Sequence, residues 1–370
     1  MVAGKITRYL SNINNIREYY TPYGRYSRVP FYKYFDRETA DDGYGVYRFS
    51  HSRTSLLVSL DAIQFDENSV ILVPEFICNV VLAPLRQLGL KYVFYEINDQ
   101  LEPIWESINK MLTFNIKAII MVHYFGQPQN IDQYLEFCSN HNILLIEDNA
   151  HGYGSSYNGK LLGHFGDIAI SSPWKTFPIY NGSYLYTKIP LESRKYPHQP
   201  LKIIKRYFEN AFISFWDNLE SINVLSRKSV PDIYKKPIYI QEDMLPIWCM
   251  DKYSDLFLNS VDLNLVRKKR HDIYCLWNLM CKKKGLEPVF KCLNEESIPS
   301  IYPAFASSYN QSLEILKWGY DRGIDVHKWP NLPEKIISSG GNGVKIWKKM
   351  ICFPININMN LKNLRDIINK

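Results

Sequence analysis

The stretch ILLIEDNAHG (residues 143–152) decides the fold, because its apolar run ends abruptly in two acids. Such a run predicts a strand buried on both faces, and the amphipathic helix IDQYLEFCSNHN (131–142) comes directly before it. Strands and helices alternate in this way from residue 70 to residue 187. This alternation forms right-handed crossovers, so the sequence predicts an α/β fold, a mainly parallel sheet with helices on both faces.

Ligands bind beyond the carboxyl ends of the strands in such sheets. A helix is predicted over residues 78–89, and the further strands are predicted at 69–74, 91–97, 117–126, 166–172 and 182–189. Because His123, Asp148 and Ser171 each stand at or just past a predicted strand end, we expect them to converge on one cleft.

The chain has 370 residues, which is more than one ordinary domain requires. We predict a large α/β domain with the N-terminal segment (1–245) and a smaller C-terminal α+β domain (246–370). The small domain would contain a long helix over 262–285 and a second helix near 310–322. The run SSGGNG (338–343) predicts a flexible loop.

Composition narrows the class of protein. Hydrophobic residues make up 46% and charged residues 22% of the chain, as is typical of soluble globular proteins. The seven cysteines include no CxxC pair, which indicates neither a zinc site nor a disulfide framework. No stretch has the length of a transmembrane segment, and the N-terminus lacks a signal-peptide core. We therefore expect a cytoplasmic protein without a metal ion.

The formal net charge of +7 suits an anionic small substrate such as a nucleotide diphosphate. Basic clusters at 202–206 and 266–271 would fit nucleic acid, but such runs are more often the solvated face of a helix, which we favour.

Three residues carry the expected chemistry. An acid at the end of a buried strand, Asp148, needs a cationic partner, and a protonated pyridine ring would provide one. His151 would then lie beside the same ring. Lys175 stands among apolar residues in SSPWKTFPIYNG (171–182), which favours a neutral, nucleophilic amine. The alternatives are an acid that caps the following loop and a lysine on the surface.

A phosphate site is predicted where the turn FSHSRTSLLVSL (49–60) enters a helix. Backbone N–H groups at a helix N-terminus bind phosphate, and the hydroxyls of Thr54 and Ser55 would add donors. The alternative is ordinary N-capping by Ser52 or Thr54.

Eight motifs follow one another in a specific order. They are RTSL (53–56), VPEF (73–76), HYFG (123–126), EDNAHG (147–152), GKLLGHFGDI (159–168), SSPWK (171–175), HKWPNLP (327–333) and CFPI (352–355). In this order they resemble the DegT/DnrJ/EryC1/StrS sugar aminotransferases, fold-type I enzymes that depend on pyridoxal 5'-phosphate (PLP/PMP). The resemblance covers residues 45–370, is closest to a divergent branch, and implies a seven-stranded sheet.

The resemblance also implies roles. Lys175 would bind the cofactor covalently, Asp148 would pair with the pyridinium nitrogen, and His151 would lie near the phenolic oxygen. The phosphate would be held by Thr54 and Ser55 together with Ser171 or Ser172. Arg53, which stands where the family has glycine, would be a further phosphate contact of this chain. The aromatic residue that stacks on the ring aligns near Cys78, and we assign this role to Phe76, two residues earlier.

The implied function is transfer of an amino group from an amino acid, L-glutamate, to a keto sugar linked to a nucleotide. The pathway would be cell-surface polysaccharide synthesis, such as O-antigen, and the enzyme a cytoplasmic homodimer with its site near the interface. We expect neither nucleic acid nor membrane as a partner.

Two alternatives stay open. One is a PLP-dependent sugar dehydratase, although family members of that kind have histidine in place of Lys175. The other is a non-catalytic scaffold that binds a sugar nucleotide. Three departures from the family bear on the site: Arg53 replaces a glycine, YNGS (180–183) replaces GDGG, and the GxNxR run supplied by the partner subunit is not found.

Overall fold

The computed structural model describes residues 43–177, 179–192, 196–198, 245–357 and 359–369. The basic cluster at 202–206 and the predicted N-terminal segment up to residue 42 lie outside these residues. In the part of the chain that is described, no helix is both long and apolar enough to cross a membrane. The same residues contain no group of three His, Cys, Asp or Glu side chains arranged to bind a metal ion.

One large sheet dominates the N-terminal half. The strands of this half are β1 (Gly45–Phe49), β2 (Val70–Pro74), β3 (Lys91–Tyr95), β4 (Ile116–Val122), β5 (Leu144–Asn149), β6 (Ser156–Tyr157), β7 (Lys160–Leu161), β8 (Ile168–Ser171) and β9 (Ser183–Thr187). The large sheet has the order β1-β9-β8-β5-β4-β2-β3, while β6 and β7 form a separate hairpin. Five neighbouring strands of this sheet, β3, β2, β4, β5 and β8, run parallel to one another, as predicted.

Strand β9 runs antiparallel to β8, and β1 runs antiparallel to β9. The connection from β8 to β9 is shorter than the dozen or so residues that a parallel crossover requires, so the chain reverses direction there. Lys175 lies within this reversal. Strand β1 was not predicted, because its five residues follow directly on Asp-Gly-Tyr and alternate only weakly.

The helices begin and end at recognisable signals. Those described are α1 (Ser52–Ile63), α2 (Leu82–Gln87), α3 (Trp105–Lys110), α4 (Ile131–His141), α5 (Lys252–Asn259), α6 (Leu263–Lys284), α7 (Tyr309–Asp321), α8 (Glu334–Ser339), α9 (Asn342–Lys349) and α10 (Leu361–Asn369). The Asp262 side chain caps α6 by accepting from two N–H groups of its first turn, and Gly285 ends it in the left-handed conformation. The long helix predicted over 262–285 is thus observed.

The C-terminal part contains a smaller antiparallel sheet of β10 (Glu287–Pro288), β11 (Ile301–Phe305) and β12 (Met350–Pro354). Helix α6 packs on it through Trp277, whose ring stacks on Phe353 at 5.0 Å between centroids. The Trp277 indole N–H also donates to the Pro354 carbonyl at 2.8 Å. The domain boundary between residues 245 and 246 stays a prediction.

The prediction of a flexible loop at 338–343 is wrong. Helix α8 ends at Ser339, Gly340 adopts a φ of 63°, and α9 already begins at Asn342. A left-handed glycine ends a helix at low cost, so this run joins two helices rather than forming a loop.

Helix α9 is held at both ends by charges of the stabilising sign. At its N-terminus the buried Glu75 carboxylate accepts from the Gly343 N–H. At its C-terminus the Lys328 ammonium donates to the carbonyls of Trp347 (3.1 Å) and Lys348 (2.6 Å). An anion at the N-terminus of a helix and a cation at its C-terminus both interact favourably with the helix dipole.

Candidate active site

Lys175 lies in a short 3-10 turn, Pro173–Lys175, immediately after β8. Proline suits the first position of such a turn, since its missing N–H would have no partner there. The Thr176 N–H closes the turn by donating to the Pro173 carbonyl at 2.9 Å. The lysine therefore stands at the carboxyl edge of the parallel strands, where ligands bind in such sheets.

Asp148 lies near the end of β5, paired with Val122 on one side and Ile170 on the other. Its carboxyl group is buried, and its Oδ1 accepts from the Ala150 N–H at 3.0 Å. Burial raises the pKa of Asp148, while the charge of Lys175 opposes this rise. The acid therefore caps the following loop and also faces the lysine, so the two interpretations of Asp148 are compatible.

The Lys175 amine is surrounded by groups that the sequence singled out. Burial is the largest influence and lowers the pKa of Lys175. Asp148 and Cys78 favour its charged form, while Arg53 disfavours it. Lys175 as a whole residue is half-buried, and burial is nevertheless the largest influence on the pKa of its amine. Lys175 is therefore not an ordinary solvated lysine, and a larger fraction of it is neutral at a given pH.

His151 is buried as a neutral ring. Burial, helped by the charge of Lys175, holds the pKa of His151 well below its usual range. Its Nδ1 accepts from the Phe125 N–H at 3.3 Å, so the hydrogen of the neutral ring is assigned to Nε2. The ring stacks on Phe125, and the edge of Trp329 meets it at 4.7 Å between centroids. His151 can therefore donate from Nε2 to a ligand oxygen.

The acid before Asp148 has a different task. Glu147 is wholly buried and accepts from the N–H groups of Gly163, Phe165 (3.0 Å) and Gly166 (3.2 Å). It also bonds His123 Nε2 at 2.9 Å. Glu147 thus anchors the turn that leads into β8, which explains why the acid pair and the later glycines occur together in the sequence.

His123 does not reach the cleft as we expected. Its Nε2 is taken by Glu147 and its Nδ1 accepts from the Gln129 N–H at 3.1 Å, so both ring nitrogens serve the fold. The sequence placed it correctly at a strand end but could not show that its side chain turns into the core.

Helix α1 begins at Ser52, with His51 as the N-cap residue in an extended conformation. The alternative that Ser52 or Thr54 caps the helix is therefore wrong. Thr54 and Ser55 are buried in the first turn, and Ser55 Oγ lies 2.7 Å from Ser183 Oγ. The start of α1 thus comes close to the end of the β8–β9 connection that contains the lysine.

The two serines after β8 differ in their hydrogen bonds. Ser171 Oγ accepts from the Tyr184 N–H at 3.4 Å. Ser172, only 1% exposed, has a buried Oγ with no hydrogen-bond partner among the described residues. A buried hydroxyl is rarely left unsatisfied, so Ser172 is the better placed of the two to serve a ligand.

Phe76 is wholly buried against Tyr124 and Trp329, each with its ring centroid 6.0 Å away. Its stacking role stays a prediction, and of the two candidates it is Cys78 that acts electrostatically on Lys175. The sequence missed the contact of Trp329 with His151, although HKWPNLP (327–333) was noticed as a motif. Only the fold brings this distant segment to the site.

Comparison with known proteins finds a family model that matches part of the chain. The model of the DegT/DnrJ/EryC1/StrS aminotransferase family matches residues 46–188. The GDP-perosamine synthase of Escherichia coli O157:H7 is 26% identical over 57% of this chain and 64% of its own length. The GDP-perosamine synthase of Vibrio cholerae is 23% identical over 80% of this chain and 84% of its own length.

The fold is shared with Helicobacter pylori PseC, an aminotransferase involved in the biosynthesis of pseudoaminic acid. The TM-score is 0.62 at 17% identity, over 88% of this chain and 85% of PseC. The predicted α/β fold with a seven-stranded, mainly parallel sheet is confirmed. At this low identity PseC shows the fold alone, while residues 46–188 of the chain are similar to the DegT/DnrJ/EryC1/StrS aminotransferase family.

Proposed function

We propose that the protein is an aminotransferase that uses PLP to move an amino group from an amino acid to a keto sugar linked to a nucleotide. The observation that carries the proposal is a lysine of lowered pKa that faces a buried carboxylate, Asp148, at the ligand-binding edge of the sheet. The match of residues 46–188 to the family model and the similarity to the two perosamine synthases support the same chemistry.

The residues present fit the cofactor. An aldehyde requires an amine that is neutral near physiological pH, which burial favours at Lys175. A ring nitrogen that carries a proton requires a buried acid, which Asp148 supplies. A phosphate requires donors, and the unpartnered Ser172 Oγ and the cation of Arg53 both belong to segments that border Lys175.

When bound, PLP supplies an electron-withdrawing ring and an aldehyde that takes up the amino group. The protein residues then have separate tasks. The Asp148 carboxylate holds a proton at the ring nitrogen, and the Lys175 amine moves a proton at the substrate carbon. His151 donates from Nε2 to the phenolic oxygen. Ser172 and Arg53 bind the phosphate, together with Thr54, Ser55 and Ser171.

The finer assignments extend this proposal. L-Glutamate is the proposed donor, and a GDP-linked keto sugar is the first acceptor to test, since both perosamine synthases carry GDP in their names. A net charge of +7 suits such an anionic substrate. We place the enzyme in the cytoplasm as a homodimer, in cell-surface polysaccharide synthesis such as O-antigen.

The test uses purified protein with PLP, L-glutamate and a panel of keto-sugar nucleotides, with products followed by mass. A yellow protein that bleaches with borohydride and forms an amino sugar supports the proposal. Loss of water from the sugar without amine transfer would identify a dehydratase instead. A preparation that stays colourless with added PLP would identify a non-catalytic scaffold.

A further inference from the structure

Arg270 is a charged residue on the apolar face of α6. It is spaced at helical intervals from Val266, Ile273 and Trp277, all of them buried, and is itself only 1% exposed. The cluster at 266–271 was interpreted as a solvated helix face, which holds for Lys268 but is wrong for Arg270. Burying a guanidinium is costly, so its partners deserve an explanation.

Those partners are backbone carbonyls rather than acids. One terminal nitrogen of Arg270 donates to the Thr176 carbonyl at 2.8 Å. The other donates to Pro299 at 2.8 Å and to Ser300 at 3.4 Å. Burial lowers the pKa of Arg270 to about 9, and no carboxylate of the described residues offsets this. The planar fork of arginine is the side chain suited to gathering several carbonyls at once.

Each carbonyl belongs to a segment that leads to the candidate active site. Thr176 follows Lys175 directly and closes its turn. Ser300 donates its N–H to the Phe125 carbonyl at 2.9 Å, and the Phe125 N–H in turn donates to His151 Nδ1. Arg270 is thus one hydrogen bond from the lysine turn and three from the histidine ring.

The segment between Arg270 and His151 has little freedom to move. Phe125 has a φ of 59°, an unfavourable conformation for a bulky residue, and it persists only where neighbours enforce it. A Cβ on Gly126 would approach the Ile298 carbonyl oxygen to 2.7 Å, so the two segments pack backbone to backbone. A displacement of the 298–300 segment is therefore transmitted to the histidine.

We propose that Arg270 is a positioning residue of the candidate active site, which holds the Lys175 turn and the His151 ring in register through the carbonyls of Thr176, Pro299 and Ser300. This inference rests on the proposed function, which gives Lys175 and His151 their roles, whereas its test requires neither cofactor nor substrate. Without the guanidinium the lysine turn loses its anchor to α6, and the amine relaxes towards water.

The test measures the Lys175 amine in protein without cofactor. Trace acetylation across a pH series, with the Lys175 peptide quantified by mass, gives the pH midpoint of its reactivity, and exposed Lys160 serves as internal reference. In Arg270→Met we expect the Lys175 midpoint to rise by about one unit, a tenfold decrease in neutral amine at fixed pH. In Arg270→Lys we expect a smaller rise than in Arg270→Met, because the lysine amine can still donate to some of the three carbonyls, although not to all of them.

Lys268→Met is the matched control, an exposed change on the same helix that leaves the midpoint in place. A folded Arg270→Met protein with an unshifted midpoint would overturn the proposal. Should that variant not fold, Arg270→Lys decides, since a lysine amine can still donate to part of the carbonyl set, and an unshifted midpoint there overturns the proposal equally. If the midpoint shifts as expected but the protein neither colours with PLP nor transfers amines, the proposed function fails and the positioning role stands.

Discussion

Two lysines of this protein, Lys175 and Lys328, are both removed from water, but they differ in what surrounds them. Lys328 is 5% exposed, and burial lowers its pKa to about 7. Its ammonium donates to Ser312 Oγ (2.9 Å) and to the last carbonyls of α9, which uses all three of its donors. Among the described residues, Lys175 has no such acceptors and interacts with Asp148 through charge.

The difference shows that a lowered pKa is not sufficient to mark a catalytic amine. Burial acts on both lysines in the same direction, yet the three donors of Lys328 are committed to the Ser312 hydroxyl and to two carbonyls at the end of a helix. Lys175 stands at a ligand-binding edge with a buried acid and an unpartnered hydroxyl nearby. The partners, and not the pKa, separate the structural lysine from the proposed catalytic one.

The largest effect should come from Lys175→Ala. Because the amine would both attach PLP and move the proton, we expect turnover to fall by about a thousandfold and the visible absorbance of bound cofactor to vanish. Absorbance spectra and amine transfer measure this, with exposed Lys110→Ala as control. Normal turnover in Lys175→Ala would show that Lys175 is not the catalytic amine and would remove the proposed difference between the two lysines.

Asp148→Asn tests the acid that distinguishes the two lysines. An amide cannot hold a proton at the ring nitrogen, so we expect turnover to fall by about a hundredfold. The carboxylate also favours charged Lys175, so its removal should lower the pKa of the amine further, as acetylation of the cofactor-free protein would measure. The exposed Asp132→Asn change should alter neither quantity.

Lys328→Met should affect stability instead of chemistry. Leaving two carbonyls at the end of α9 and the Ser312 hydroxyl unpaired costs about 2 to 3 kcal/mol of unfolding free energy. Denaturant titration measures the loss, with exposed Lys349→Met as control. Turnover of the folded variant should stay within a few fold of normal, and a loss as large as that of Lys175→Ala would contradict the contrast.

The same lysine makes stability depend on pH. Its pKa is about 7 in the folded protein and 10.5 ordinarily, so between these values the unfolded chain binds a proton that the folded protein releases. The free energy of unfolding should therefore rise with pH across this window and be level below it. In Lys328→Met this rise should be smaller than in the unaltered protein, and identical pH profiles would show that Lys328 is not the source.

Ser172→Ala should give the smallest change. Its hydroxyl has no hydrogen-bond partner among the described residues, so stability should be unaffected, while PLP should bind about tenfold more weakly if the hydroxyl serves the phosphate. Ser171→Ala, which removes an acceptor used by Tyr184, should instead lower stability. Equal PLP affinity in Ser172→Ala and the unaltered protein would remove Ser172 from the site.

The parallel strands, and the position of Asp148 and Lys175 at one edge of the sheet, could be predicted from the sequence for a local reason. Apolar runs, helix signals and strand ends are short-range features, and parallel topology places successive strand ends at one edge. The reversal at β9 also follows from a local feature, the short connection after Ser171, although the sequence reading did not use it.

What the sequence could not predict depends on long-range contacts. His123 was expected at the cleft because it stands at a strand end, yet it bonds Glu147 in the core. Trp329 reaches His151 although the two residues are far apart in the sequence, and Arg270 was hidden within a run of basic residues. A charged residue at an apolar helix position was the one available signal for Arg270.

Helix α9 has a consequence for how the protein melts. Its anionic support, Glu75, follows β2 of the large sheet, whereas its cationic support, Lys328, belongs to the C-terminal part. If either the large sheet or the C-terminal part unfolds, α9 loses the side chain that supports one of its ends. Heat is therefore expected to disrupt both sheets in one cooperative step rather than one after the other.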